Sequence, residues 1–136
     1  MPAVSFSELQ VGNLYNRNQL AAMWGYEGVA ALQRGVVTPK RHSCIVLFVT
    51  REKQIGYQEY KNELRGAFLF WEGPTDHYAE DRIISSGRTS DVIHLFFRDR
   101  HHSDFEYLGE VTLESFEKRT DTPSHFVYRV KSRSGA

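Results

Sequence analysis

Apolar residues gather along the chain in short runs separated by polar turns, a pattern of strands rather than long helices. The clearest run is Cys44-Ile45-Val46-Leu47-Phe48-Val49, which predicts a strand over 44–50. Further strands are expected near 56–60, over 67–71 until Gly73-Pro74 stops it, and over 92–98, 105–113 and 125–130. Two segments have helical spacing instead. Asn16 can cap a helix through Gln19 to Trp24 that Gly25 ends, with Leu20, Met23 and Trp24 on one apolar face. A shorter helix over 79–86 would bury Ile83 and Ile84. Residues 5–12 read as a lead-in, 33–42 as a loop and 131–136 as a frayed tail. This mixed order of strands and two short helices predicts an α+β domain with a compact, barrel-like core. The 136 residues fit a single domain over 1–136, and no internal repeat or linker divides them.

Composition agrees with a globular chain, at 40% hydrophobic and 25% charged residues. Nine Phe, seven Tyr and two Trp favour strands and can form flat walls for planar ligands. The 17 basic and 17 acidic residues cancel. That balance argues against a nonspecific electrostatic binder of nucleic acid but leaves room for a local basic face. Cys44 is alone, which excludes an intramolecular disulfide and a cysteine-only zinc site; its apolar neighbours predict a buried thiol. No apolar stretch is long enough to span a membrane and no signal peptide opens the chain, so the expectation is a cytoplasmic protein without a membrane partner.

Catalytic patterns are missing from the sequence. His101 and His102 are adjacent and lack a partner at metal-ligand spacing, which suits a polar turn. His94 lies inside a strand and reads as a structural histidine. There is no phosphate-binding glycine loop, nucleophile elbow, paired metal-ligand signature, HNH motif or phospholipase D-type motif. The expectation is a binding domain with no catalytic residues, metal or cofactor.

Two regions carry candidate binding chemistry. In the loop, Arg34, Thr38, Lys40, Arg41 and His42 can grip phosphates, and Arg82 and Arg88 would widen that basic face. The second region holds Tyr57, Tyr60, Phe70, Trp71, Glu72 and Asp76. Aromatics beside carboxylates can stack a planar ring and read its edge, and a carboxylate suits the exocyclic amine of cytosine.

At these residues the chain resembles a family. Arg34-Gly35-Val36-Val37-Thr38-Pro39-Lys40, then Ile45-Val46-Leu47-Phe48, Gly56-Tyr57-Gln58-Glu59, Trp71-Glu72-Gly73 with Asp76, Ile93-His94-Leu95-Phe96, and Tyr107-Leu108-Gly109-Glu110 follow in order. The set is similar to the SRA-like domain of McrA-type HNH restriction endonucleases and to a C-terminal domain of some bacterial DEAD/DEAH helicase–nuclease proteins. The resemblance implies a PUA/SRA-like β-barrel with flanking short helices that flips a modified base of double-stranded DNA into a pocket, in restriction or phage defence. It implies Thr38 and Lys40 in the backbone-binding loop, and Tyr57, Glu72, Gly73 and Asp76, beside Trp71, in the base pocket. The family's longer Gly-Glu-Gly turn is shortened here to Trp71-Glu72-Gly73-Pro74-Thr75-Asp76. With no nuclease motif, a nuclease or helicase partner is expected to act on the DNA. The rival expectation is a protein-interaction module that keeps the barrel and has no nucleic-acid ligand.

Overall fold

A computed structural model describes residues 2–53 and 60–133. It is a mixed α/β arrangement with two short α-helices. The strands are β1 (Leu14–Tyr15), β2 (Val36–Val37), β3 (Cys44–Thr50), β4 (Glu52–Lys53), β5 (Tyr60–Arg65), β6 (Phe68–Glu72), β7 (Val92–Arg98), β8 (Phe105–Glu117) and β9 (His125–Val130). The helices are α1 (Arg17–Trp24) and α2 (Glu80–Ser85).

The sheet runs β2-β3-β7-β8-β9-β6-β5-β4, with β1 added along β8. Only the β3–β7 pair is parallel; the other neighbours are antiparallel. A single residue, Arg51, separates β3 near one end of this order from β4 at the other. Consecutive Cα atoms stand only about 3.8 Å apart, so the sheet must curve enough to bring β4 to the end of β3. Asn62 on β5 spans the junction: its side chain donates to Thr50 O at 3.4 Å and accepts the Glu72 N–H at 3.0 Å.

β3 is apolar at nearly every position because both of its faces are covered. Ile45, Leu47 and Val49 point into an inner core with Leu69, Trp71, Ile93, Leu95, Phe126 and Tyr128. Cys44, Val46 and Phe48 point outward into a second core, roofed by α1 and the N-terminal segment through Leu9, Leu20 and Trp24. Ile83 of α2 is fully buried in the inner core.

Helix α1 begins as its cap residue predicts: Asn16 Oδ1 accepts the Gln19 N–H at 2.7 Å, and Gln19 reaches back to the Asn16 N–H. Gly25 closes it in the left-handed region at φ 82°. Its buried face differs from the expected one, however. Leu20, Ala21 and Trp24 are buried, while Met23 is 41% exposed. At 100° per residue Met23 points roughly 100° away from the centre of that stripe.

Other boundaries also move. The strand expected over 105–113 continues to Glu117, and the loop expected over 33–42 contains β2. The strand expected near 56–60 lies almost entirely outside the described residues. The tail is tied down as far as residue 133: the Lys131 N–H donates to Glu110 O and the Ser132 hydroxyl to Leu108 O. Among the described residues, no helix is long and apolar enough to cross a membrane.

Candidate nucleic-acid interface

The loop between β2 and β3 is a built turn. Val36 and Val37 pair with Leu47 and Val46, and the Phe48 N–H donates to Gly35 O at 2.9 Å. Pro39 is buried, and the chain reverses at Arg41, which adopts φ 64°. His42 pins the turn: its Nε2 accepts the Val4 N–H at 3.1 Å, which leaves Nδ1 to donate to Lys40 O at 2.7 Å. His42 therefore braces the loop. The side chains of Lys40 and Arg41 are exposed, and among the described residues neither has an ion-pair partner.

Arg34 is differently employed. Its Nη2 donates to Asp76 Oδ2 at 2.7 Å, and its guanidinium lies 4.2 Å from the Tyr78 ring centre. Thr38 joins the same cluster through a 2.6 Å hydrogen bond between its hydroxyl and that of Tyr78. The Tyr78 N–H and the Arg34 guanidinium together hold the Asp76 carboxyl below its ordinary range.

Two cavities meet at this cluster. One, of ≈ 580 Å³, runs beneath the loop between Tyr26, Val37, Pro39 and Tyr78. The other, of ≈ 310 Å³, opens at the end of β6 between Thr50, Asn62, Trp71, Glu72 and Tyr78. Arg34, Val36 and Tyr78 belong to both walls. Trp71 floors the smaller cavity but is only 6% exposed; it packs against Phe126 and Tyr128 at 5.3 and 5.8 Å. Glu72 has a largely buried carboxylate, and His125 Nε2 lies 3.8 Å from its Oε2.

Gly73 is closely packed. Its N–H donates to Ser124 O at 2.8 Å, and a Cβ there would sit 3.1 Å from the Phe126 ring. After the Pro74 turn, His77 and Ala79 both take left-handed backbone angles, φ 58° and 63°. They are held beside Glu80, a buried carboxylate that accepts from the Ser124 hydroxyl at 3.1 Å and meets His77 Nδ1 at 2.6 Å.

The remaining expected residues fall elsewhere. Tyr57 lies outside the described residues. Arg82 donates twice to Asp91, both at 2.8 Å, and also to the carbonyls of His42 and Cys44. Its guanidinium thus clamps the entry to β3 onto the β7 side. Arg88 sits exposed in the turn after α2 and lines neither cavity. The expected set therefore divides: Arg34, Thr38, Lys40, Arg41 and His42 surround one cavity, Trp71, Glu72 and Gly73 line its neighbour, and Asp76 closes the partition.

Tyr78 and His101, which also lines the smaller cavity, carry no sequence pattern that singles them out. Tyr78 was legible only as an aromatic two residues beyond Asp76. Burial and stacking explain His94: it lies 3.5 Å from the Phe6 ring and shares a 2.8 Å hydrogen bond with the Tyr107 hydroxyl. No group of His, Cys, Asp and Glu among the described residues is arranged to hold a metal ion.

The chain matches no protein-family profile and no curated protein.

Proposed function

We propose that the protein reads modified cytosine in double-stranded DNA, with the curled sheet serving as a PUA/SRA-like barrel and the loop at Lys40 and Arg41 gripping phosphates. The observation that carries this reading is a pair of adjacent cavities: exposed Lys40 and Arg41, without ion-pair partners among the described residues, line the larger, and Trp71 and Glu72 line the smaller. Phosphate contacts position a duplex, and a separate recess can then take one unstacked base. At ≈ 310 Å³ the recess is at the small end of small-molecule sites. Glu72 is the better acceptor for the cytosine amine, because Asp76 is already bonded to Arg34 and to the Tyr78 N–H. The protein acts as a reader, and a nuclease or helicase partner in a restriction or defence system acts on the DNA.

The test is binding to matched duplexes containing cytosine, 5-methylcytosine or 5-hydroxymethylcytosine, with Lys40→Ala/Arg41→Ala and Glu72→Gln alongside wild type. Loss of the two cations should weaken binding to all duplexes and reduce the salt slope by about two. Glu72→Gln should alter preference between bases more than total affinity. A wild-type protein that binds none of these duplexes overturns the reading.

One observation favours a protein ligand instead. Beyond Val111, β8 leaves β7 and no ladder covers that edge among the described residues. The edge borders a ≈ 530 Å³ groove lined by Ile84, Val92, Leu113 and the 48% exposed Phe116. Such an edge suits an added strand from a partner. Phe116→Asp would then abolish partner capture and leave DNA binding unchanged.

A further inference from the structure

Where the two cavities meet, buried Val36 lies in both walls, and the polar part of the partition is built from groups at the surface. Arg34 and Asp76 have side chains 52% and 57% exposed, and Tyr78 is 37% exposed. Asp76 holds both ends of the cluster: Oδ2 takes the guanidinium of Arg34, and Oδ1 accepts the Tyr78 N–H at 3.1 Å. An exposed ion pair of this kind is weak and is readily exchanged. Tyr78 also lies between His77 and Ala79, two residues whose left-handed backbone is unfavourable for side chains with a Cβ. The segment carrying Tyr78 is therefore held by its contacts rather than by its own preference.

Arg34 meets Asp76 through a single hydrogen bond, since the other carboxylate oxygen is taken by Tyr78 N–H; a phosphate can accept two parallel N–H bonds from the guanidinium and recruit Lys40 and Arg41 as well. We propose that the Arg34–Asp76–Tyr78 cluster is a latch that a phosphodiester opens. The incoming phosphate takes Arg34 from Asp76, the guanidinium leaves the face of Tyr78, and the two cavities join into one channel. Asp76 is then a competitor of the ligand, the reverse of a base-reading acceptor. The vacated Tyr78 face becomes a stacking surface at the channel mouth. The identity of the phosphate as DNA rests on the function proposed above; the exchange itself requires only a phosphate oxyanion.

The experiment titrates the purified full chain with a short duplex and, separately, with inorganic pyrophosphate. It follows affinity and the Tyr78 ring resonance, assigned by comparison with Tyr78→Phe. Asp76→Asn is expected to tighten both ligands by roughly two- to fivefold, the span of an exposed ion pair. That gain should vanish in Arg34→Ala. Asp81→Asn serves as the charge control, since Asp81 is 90% exposed and paired with Lys118 rather than Arg34.

The latch is overturned if Asp76→Asn binds no more tightly than Asp81→Asn, or if its gain persists without Arg34. It is also overturned if DNA binds while the Tyr78 resonance stays still. Should pyrophosphate move Tyr78 while DNA does not bind at all, the latch stands and the DNA reading falls. Silence from both probes overturns both.

Discussion

At His94 the surroundings set the protonation state. Burial pushes its imidazole down to about 4, with Glu110 opposing the shift. Burial likewise pushes the Tyr107 phenol up to about 12, so the hydrogen bond between them joins two neutral groups. An unfolded imidazole titrates near 6.5. As the pH falls from about 6.5 to 4, the unfolded chain takes up a proton that folded His94 refuses. This contribution to instability grows across that window to about 3 kcal/mol. His94→Gln, which can still bond Tyr107, should be less stable than wild type at pH 7, and the difference should shrink by pH 4. Urea titrations at several pH values measure it, and a constant difference would contradict the assignment. Cys44 follows the same logic: burial pushes its thiol up to about 11, so little thiolate exists at neutral pH.

Among the elements, β8 does most to shape the molecule. Its thirteen residues serve three partners, β1 and β7 along the first half and β9 along the later half. A bulge lies opposite Leu95 and Phe96, where Gly109 adopts φ 83°. Ordinary alternation puts Phe105 and Tyr107 in the outer core, and the extra residue resets it so that Leu108 and Val111, three apart, both lie in the inner one. A side chain at position 109 would be strained by the backbone angle, and its Cβ would stand 3.1 Å from Val11 Cγ2. Because Val11 is half exposed and can move, the backbone angle is the larger obstacle. Gly109→Ala should therefore cost about 1–3 kcal/mol, read as a lower urea midpoint at unchanged slope. A neutral substitution would show that the bulge relaxes freely.

Across the whole molecule, Trp71 joins stability to the candidate site. It is both the floor of the smaller cavity and a member of the inner core. Trp71→Ala should cost about 3–5 kcal/mol, so binding lost in that variant says little about recognition. Trp71→Phe keeps most of the packed volume; thermal melting and duplex binding measured together on this variant separate the two roles. A Trp71→Ala protein that melts like wild type would place the residue outside the core.

Much of the element layout was legible in the sequence because its causes are local. The Asn16 and Gly25 caps act within one turn of α1, and the unbroken apolar run of β3 follows from burial on both faces. Hydropathy also marked His94 as structural and Cys44 as buried. The fate of the charges was not legible. Arg34 finds Asp76 42 positions away, Arg82 is consumed by Asp91 and two carbonyls, and His42 is claimed by Val4. Four basic side chains in one stretch look alike in sequence, yet of these only Lys40 and Arg41 have no hydrogen-bond or ion-pair partner for their side chains among the described residues. Hydrophobic periodicity reports which face of an element is buried, a property of the element itself. Whether a cation is free depends on which carboxylates and carbonyls the curled sheet brings within about 3 Å of it, and that only the tertiary structure decides.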